Sequence, residues 1–220
     1  MKILALLLSA FAAVTLADVK EHATGISFKD TLKLPGASTA GSLAGTGVRV
    51  KKIGPAAFKV YAVGMYVDSA KARSELSKHS STESRALSKS DAFFKDARSA
   101  SFEKTLVLKM ARKVGAEKMV NALAESVKPR LAPGGDAALE EFQTVLLDAV
   151  TKEGAANKGM QFGFVCKPGS LCVSIDGKTA GTINSEQLRS AMLDVYLGKD
   201  AVSPGAKTSF AEGMSSMFKQ

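Results

Sequence analysis

From Ile26 to Leu34 apolar and polar residues alternate weakly up to Pro35-Gly36, the pattern of a short strand closed by a turn. Val48–Lys52 and Phe58–Val67 predict two further strands, linked by IGPAA with Gly54-Pro55 at the turn. Asp68–Ser101 is dominated by Ser, Lys, Ala and Glu, with apolar residues at Leu76, Leu87, Phe93 and Phe94. It predicts short surface helices around a mobile middle, HSSTESRALSKS. A strand resumes over Lys104–Met110 (KTLVLKM).

The period then changes. Met119, Val120, Leu123, Val127 and Leu131 recur at helical spacing, with Pro129 disturbing the end of that helix. After Pro133-Gly134-Gly135, Leu139, Phe142, Leu146 and Val150 mark a second helix, with Asp136 as its expected cap. FGFVCKPGSLCVSIDG predicts a hairpin turning at Pro168-Gly169, and Ala180–Ile183 a further short strand. Asn184 with Gln187 resembles a capping box opening a helix that buries Leu188, Ala191, Met192 and Val195. Ser203-Pro204 opens a last helix. Strands early and late with helices between give an α+β class with an antiparallel sheet.

The first 17 residues stand apart. Lys2, an apolar run from Ile3 to Val14, and small residues at Thr15 and Ala17 before Asp18 predict a secretory signal peptide at residues 1–17. The run is too short for a membrane span of about 20 residues. A single domain is expected over residues 18–220, soluble and in the secretory pathway or outside the cell. The formal net charge of +9 would attract anionic partners, but Lys and Arg are spread along the chain without a run of five, which disfavours nucleic acid. The two cysteines, Cys166 and Cys172, flank the hairpin turn. In an oxidising compartment they are expected to form a disulfide staple in preference to free thiols; a metal or redox pair lacks further ligands.

Enzyme signatures such as GxSxG, a P-loop, a dinucleotide fingerprint or HExxH are missing from the sequence. Glu140-Glu141 fits a solvated helix face, and His22 and His79 lie in polar stretches expected to be exposed. The segment GTGVRVKKIGPAAFKVYAVGMYVD carries more. A hairpin centred on Pro55 sets Arg49 opposite Tyr61 on one face with Gly47, Val63 and Met65, and Val48, Val50, Phe58, Val60 and Ala62 on the other. A guanidinium beside a phenol among apolar side chains can hold a carboxylate or phenolate. The plainer alternative is a surface Arg stacked on a Tyr across strands.

GTGVRVKKIG…FKVYAVGMYVD resembles the N-terminal motif of the chalcone isomerase family, and SLCVSIDGKTAGTINSEQLRSAMLDVYLGKDAVSPGAKTSFAEGM its C-terminal motif. The resemblance covers Ile26–Met217 and implies the chalcone-isomerase fold: a curved antiparallel sheet, helices packed on one side, and a ligand cleft between them. It implies no cofactor and no metal, and it leaves oligomeric state open. True isomerases of the family use an Arg in the first motif, a Thr on the next strand, a Tyr and an Asn on a helix, and a late Thr or Ser. Here Arg49 is kept, Tyr61 replaces the strand Thr, and Lys118, Glu125 and Val195 fall at the other positions. Without those donors the oxyanion of cyclisation loses its stabilisation. Arg49 with Tyr61 instead resembles the fatty-acid-binding branch, in which this pair grips a carboxylate. The expected function is non-catalytic binding of a fatty acid or similar amphipathic carboxylate. The alternatives are a chalcone–flavanone isomerase and a secreted interaction protein with a vestigial cleft.

Overall fold

The alternating runs on either side of Gly54-Pro55 pair as a long hairpin in the computed structural model, which describes residues 18–219; the expected signal peptide lies outside the described residues. Seven strands form the main sheet among the described residues: β1 (Thr31–Leu32), β2 (Gly41–Ile53), β3 (Ala56–Val67), β4 (Lys104–Met110), β5 (Gln161–Lys167), β6 (Ser170–Ile175) and β7 (Lys178–Ile183). They lie in the order β7-β6-β5-β4-β3-β2-β1, each antiparallel to the next. The sheet is thus a curved meander, and the α+β class is the expected one. The single strand expected over Ile26–Leu34 is split. Ser27–Phe28 pairs with Val19–Lys20, and only Thr31–Leu32 joins the main sheet.

The helices are α1 (Ser69–Glu75), α2 (Ser84–Leu87), α3 (Asp91–Ser99), α4 (Ala116–Val127), α5 (Asp136–Thr151), α6 (Glu186–Leu197) and α7 (Pro204–Met217). Three of the early helices have too few apolar residues for long stripes, yet Leu76, Leu87, Phe93 and Phe94 are all buried. At about 1.5–3 kcal/mol for each large apolar side chain, these anchors are enough to hold short helices on the body. Ser203 caps α7 with Pro204 at its first position, as expected. Two caps differ by one residue. Ser185, not Asn184, accepts the Leu188 N–H at 3.2 Å, and Gly135 takes the cap position before Asp136. Asp136 still serves α5 electrostatically, as an acid in the positive first turn.

Alternation sorts β3 between two cores. Tyr61, Val63, Met65 and Val67 face the large core with the helices, including Phe94, Phe142, Phe164 and Phe210. Ala62 and Tyr66 face a smaller core with Phe28, Leu34, Val107 and Val165, which the segment before β2 covers.

The cysteines are free, which corrects the expected staple. Pro168-Gly169 forms a two-residue turn, with Gly169 at φ +78°, so Lys167 pairs with Ser170 and Cys166 with Leu171. Cys172 therefore opposes Val165, one place out of step. One position in a strand is one change of face: Cys166 enters the large core and Cys172 the small one. A disulfide would have required the two residues to be opposed on one face.

Candidate functional site

A two-residue turn also fixes the register of the β2–β3 hairpin. Ile53 pairs with Ala56, and the ladder continues through Lys51 opposite Phe58 to Val50 opposite Lys59. Continued unbroken, it would oppose Arg49 to Val60 and turn Tyr61 to the far face. A bulge at Val60 adds one residue to β3, and pairing resumes with Arg49 opposite Tyr61. The bulge also corrects the alternation expected from sequence: Phe58 and Val60 lie on the helix side, not with Ala62.

Arg49 is half-buried and donates from Nη1 to the carbonyl of Val202 at 2.8 Å. Val202 precedes the α7 cap, and its own N–H donates to the carbonyl of Val195 at 2.9 Å. The Ser203 hydroxyl donates to the Val48 carbonyl at 2.7 Å, fastening the same loop to β2. One donor of the guanidinium is thus committed to position, and the others remain for a ligand. Tyr61 is buried, and its hydroxyl lies 2.9 Å from that of Tyr196 on α6. Burial pushes both phenols above the ordinary tyrosine range, and the nearby charge of Arg49 opposes this only in part. Both are neutral hydrogen-bond donors at physiological pH.

Tyr196 is the member of this group that sequence reasoning missed. It lies four residues after Met192, on the inner stripe of α6, and LDVYLG belongs to the second motif. The step of four from an apolar residue was the signal available.

Beside the pair, a cleft of about 660 Å³ opens between the hairpin and the start of α4. Phe58, Val60 and Met119 supply apolar lining, and Lys51, Lys118 and Glu125 polar lining. Its volume lies in the range of small-molecule sites. The cleft stops one step short of Arg49 and Tyr61. Lys51 is two residues along the same face of β2 from Arg49, about 7 Å at the strand rise, and Val60 precedes Tyr61. Lys118 and Glu125, at two positions where the resemblance puts isomerase donors, are exposed in the cleft wall, whereas Val195 is buried in the core.

The histidines stand elsewhere. His22 is exposed, as expected. His79 is not: its side chain is largely buried, with Nε2 2.7 Å from an Asp96 carboxylate oxygen and its ring edge-on to Phe93. That arrangement clamps the turn before α2 to α3 and is remote from the cleft in its contacts.

The family model described as chalcone-flavanone isomerase matches residues 23–217. Chalcone–flavanone isomerase 3 of Glycine max is 31% identical over 222 residues, covering 96% of this chain and 95% of that protein. Fatty-acid-binding protein 1 of Arabidopsis thaliana is 26% identical over 216 residues, covering 96% and 76% respectively. The crystal structure of an Arabidopsis thaliana fatty-acid binding protein superposes with a TM-score of 0.79 at 24% identity, over 93% of this chain and all of the other, which establishes the shared fold.

Proposed function

This chain belongs to the chalcone-flavanone isomerase family, which holds both isomerases and fatty-acid-binding proteins, and we propose that it binds a fatty acid or similar amphipathic carboxylate without transforming it. The observation that carries the reading is the opposition of Arg49 and Tyr61 one step beyond the Lys51 and Val60 wall of a partly apolar cleft. In the bound state the free donors of Arg49 meet the carboxylate. Tyr196 donates to Tyr61, whose proton is then available to the same anion, and the acyl chain follows Val60, Phe58 and Met119 outward. The similarity to fatty-acid-binding protein 1 supports this reading. Lys118, Glu125 and Val195 weigh against isomerisation, because none reproduces the hydroxyl and amide donors of that reaction. Entry into the secretory pathway, from residues 1–17, is part of the proposal.

One preparation tests both parts. Mature protein secreted by a heterologous host should begin at Asp18 and carry an acyl ligand in native mass spectrometry. Arg49→Ala should weaken binding of a fluorescent fatty acid about ten- to a hundredfold, the loss of one charge-assisted contact. Absence of acyl binding in both forms would refute the reading. The retained Arg49 and the 31% identical soybean isomerase favour chalcone cyclisation as the second reading. Saturable, stereoselective loss of chalcone absorbance, abolished in Arg49→Ala, would establish it instead.

A further inference from the structure

The mouth of the cleft combines exposed apolar residues with unpaired positive charge. Every residue from Lys51 to Ala57 is exposed, and the tip itself reads Ile-Gly-Pro-Ala-Ala. Ile53 is 56% exposed, the most exposed large apolar side chain among the described residues. Around it stand Lys51 and Lys52 on the hairpin, Arg112 and Lys113 after β4, and Lys118 on α4, all exposed. None of these five cations is in an ion pair among the described residues. The cleft wall offers two carboxylates in return, Glu117 and Glu125. Positive charge therefore prevails on this face of the cleft.

We propose that this face docks on an anionic lipid bilayer, with Ile53 and Pro55 in the headgroup region and the surrounding Lys and Arg on lipid phosphates. The inference rests on the binding reading, since it makes the bilayer the source or destination of the amphiphile. A small apolar tip by itself gives marginal membrane affinity, and a polybasic surround supplies the second attraction that reversible binding needs. The same tip has five residues, far fewer than the roughly 20–30 a side of a stable protein interface. Docked this way, the cleft between the hairpin and α4 opens toward lipid, and an acyl chain leaves the bilayer without crossing water.

The test uses the full mature chain and sedimentation with vesicles of phosphatidylcholine alone or with 30% phosphatidylglycerol, at low and high salt. Binding is expected on anionic vesicles, to be absent on neutral ones, and to be released by salt, as screening requires. The triple variant Lys51→Gln, Lys52→Gln, Lys113→Gln should bind anionic vesicles about a hundredfold more weakly, at about fivefold per charge. Ile53→Asp should weaken binding about tenfold at unchanged temperature of unfolding. A control triple, Lys95→Gln, Lys178→Gln, Lys199→Gln, removes the same charge elsewhere and should bind nearly as the parent does. Equal losses in the two triples would overturn the proposal, as would binding to neutral vesicles as strong as to anionic ones or no sedimentation at all. Titration with a soluble fluorescent fatty acid, without vesicles, separates the two readings. Acyl binding that survives in a chain that ignores vesicles sinks only the docking surface, and vesicle binding without acyl binding sinks the cleft reading beneath it.

Discussion

Tyr61 and Tyr196 sit buried with their hydroxyls 2.9 Å apart, so each is the other's hydrogen-bond partner inside the fold. Removing one leaves the other unpaired, and an unpaired buried hydroxyl costs about 1–3 kcal/mol. Tyr196→Phe is therefore expected to lower the urea midpoint by a comparable stability loss with an unchanged denaturant slope. Tyr61→Phe with Tyr196→Phe together should cost less than the two single changes added, because no orphan remains. Strict additivity would mean the hydroxyls are uncoupled and the donor chain from Tyr196 through Tyr61 to a bound carboxylate does not exist. Arg49 and Tyr61 were legible in the sequence as cross-strand partners because they lie six residues to either side of Pro55. The match nevertheless depends on the extra residue at Val60, which alternation alone does not reveal. Tyr196 was illegible for a different reason: on a buried helix stripe a phenol counts as one more large apolar side chain. The cysteines failed by a single position, since a five-residue spacing suits a disulfide only if the turn is centred between them, and the two-residue turn is not.

Helix α7 lies against β2 closely enough to explain the glycines of GTGVRV. A Cβ on Gly47 would come within 2.6 Å of the Ala206 Cα, and one on Gly45 within 2.6 Å of the Ser209 carbonyl oxygen. From the other side, a Cβ on Gly213 would overlap the Ala44 carbonyl. Ala206, Ser209 and Gly213 are small residues at steps of three and four, one face of the helix. This contact brings the start of α7 onto β2, and with it the Val202 carbonyl onto Arg49. A sharp sign reversal follows. In an exposed helix interior Gly→Ala stabilises by about 1 kcal/mol. Here Gly213→Ala is expected to destabilise by about 1–3 kcal/mol through overpacking and to loosen Arg49. Thermal unfolding beside fatty-acid titration measures both; a raised melting temperature would show that the helix and strand are not in contact as described. At this scale the sequence was most informative where a local rule acts alone, as in the Ser203-Pro204 start of α7 or the seven residues of β4. It was least so where a tertiary partner decides, as when Phe28 and Thr31 go to different sheets.

Across the whole molecule, a meander with helices on one face and the N-terminal segment on the other leaves most apolar side chains dry, and it buries one amine with them. The class was legible from the order of strand and helix patterns alone, whereas the burial of Lys104 was not: KTLVLKM gives that lysine the look of a strand terminus facing water. Its side chain is 1% exposed, and Nζ donates to the carbonyls of Ala100 at 2.8 Å and Phe102 at 2.9 Å above the Phe102 ring. Burial, with the charge of Arg189 as a lesser influence, brings the amine down to about 7. In the unfolded chain it titrates near 10.4. Between those values the unfolded state holds the extra proton, so stability rises with pH from about 7 upward; below 7 both states are protonated and the burial penalty is present in full. Cys166, opposite Lys104 on β5, acts with the contrary sign. Burial pushes its thiol up to about 12, so its contribution falls only above the ordinary thiol range, near 9. Glu21, Asp96 and Glu186, all held low, have delivered their stabilisation by pH 6. The window from pH 7 to 8.5 therefore opens where the Lys104 amine loses its proton in the fold; burial lowers Lys109 and Lys207 in the same direction. Urea unfolding of the mature chain should show stability rising across that window, and Lys104→Met should flatten most of the rise whatever its effect on stability at pH 7. A slope that persists in Lys104→Met, or a parent protein equally stable at both pH values, would mean that Lys104 stays charged inside the fold.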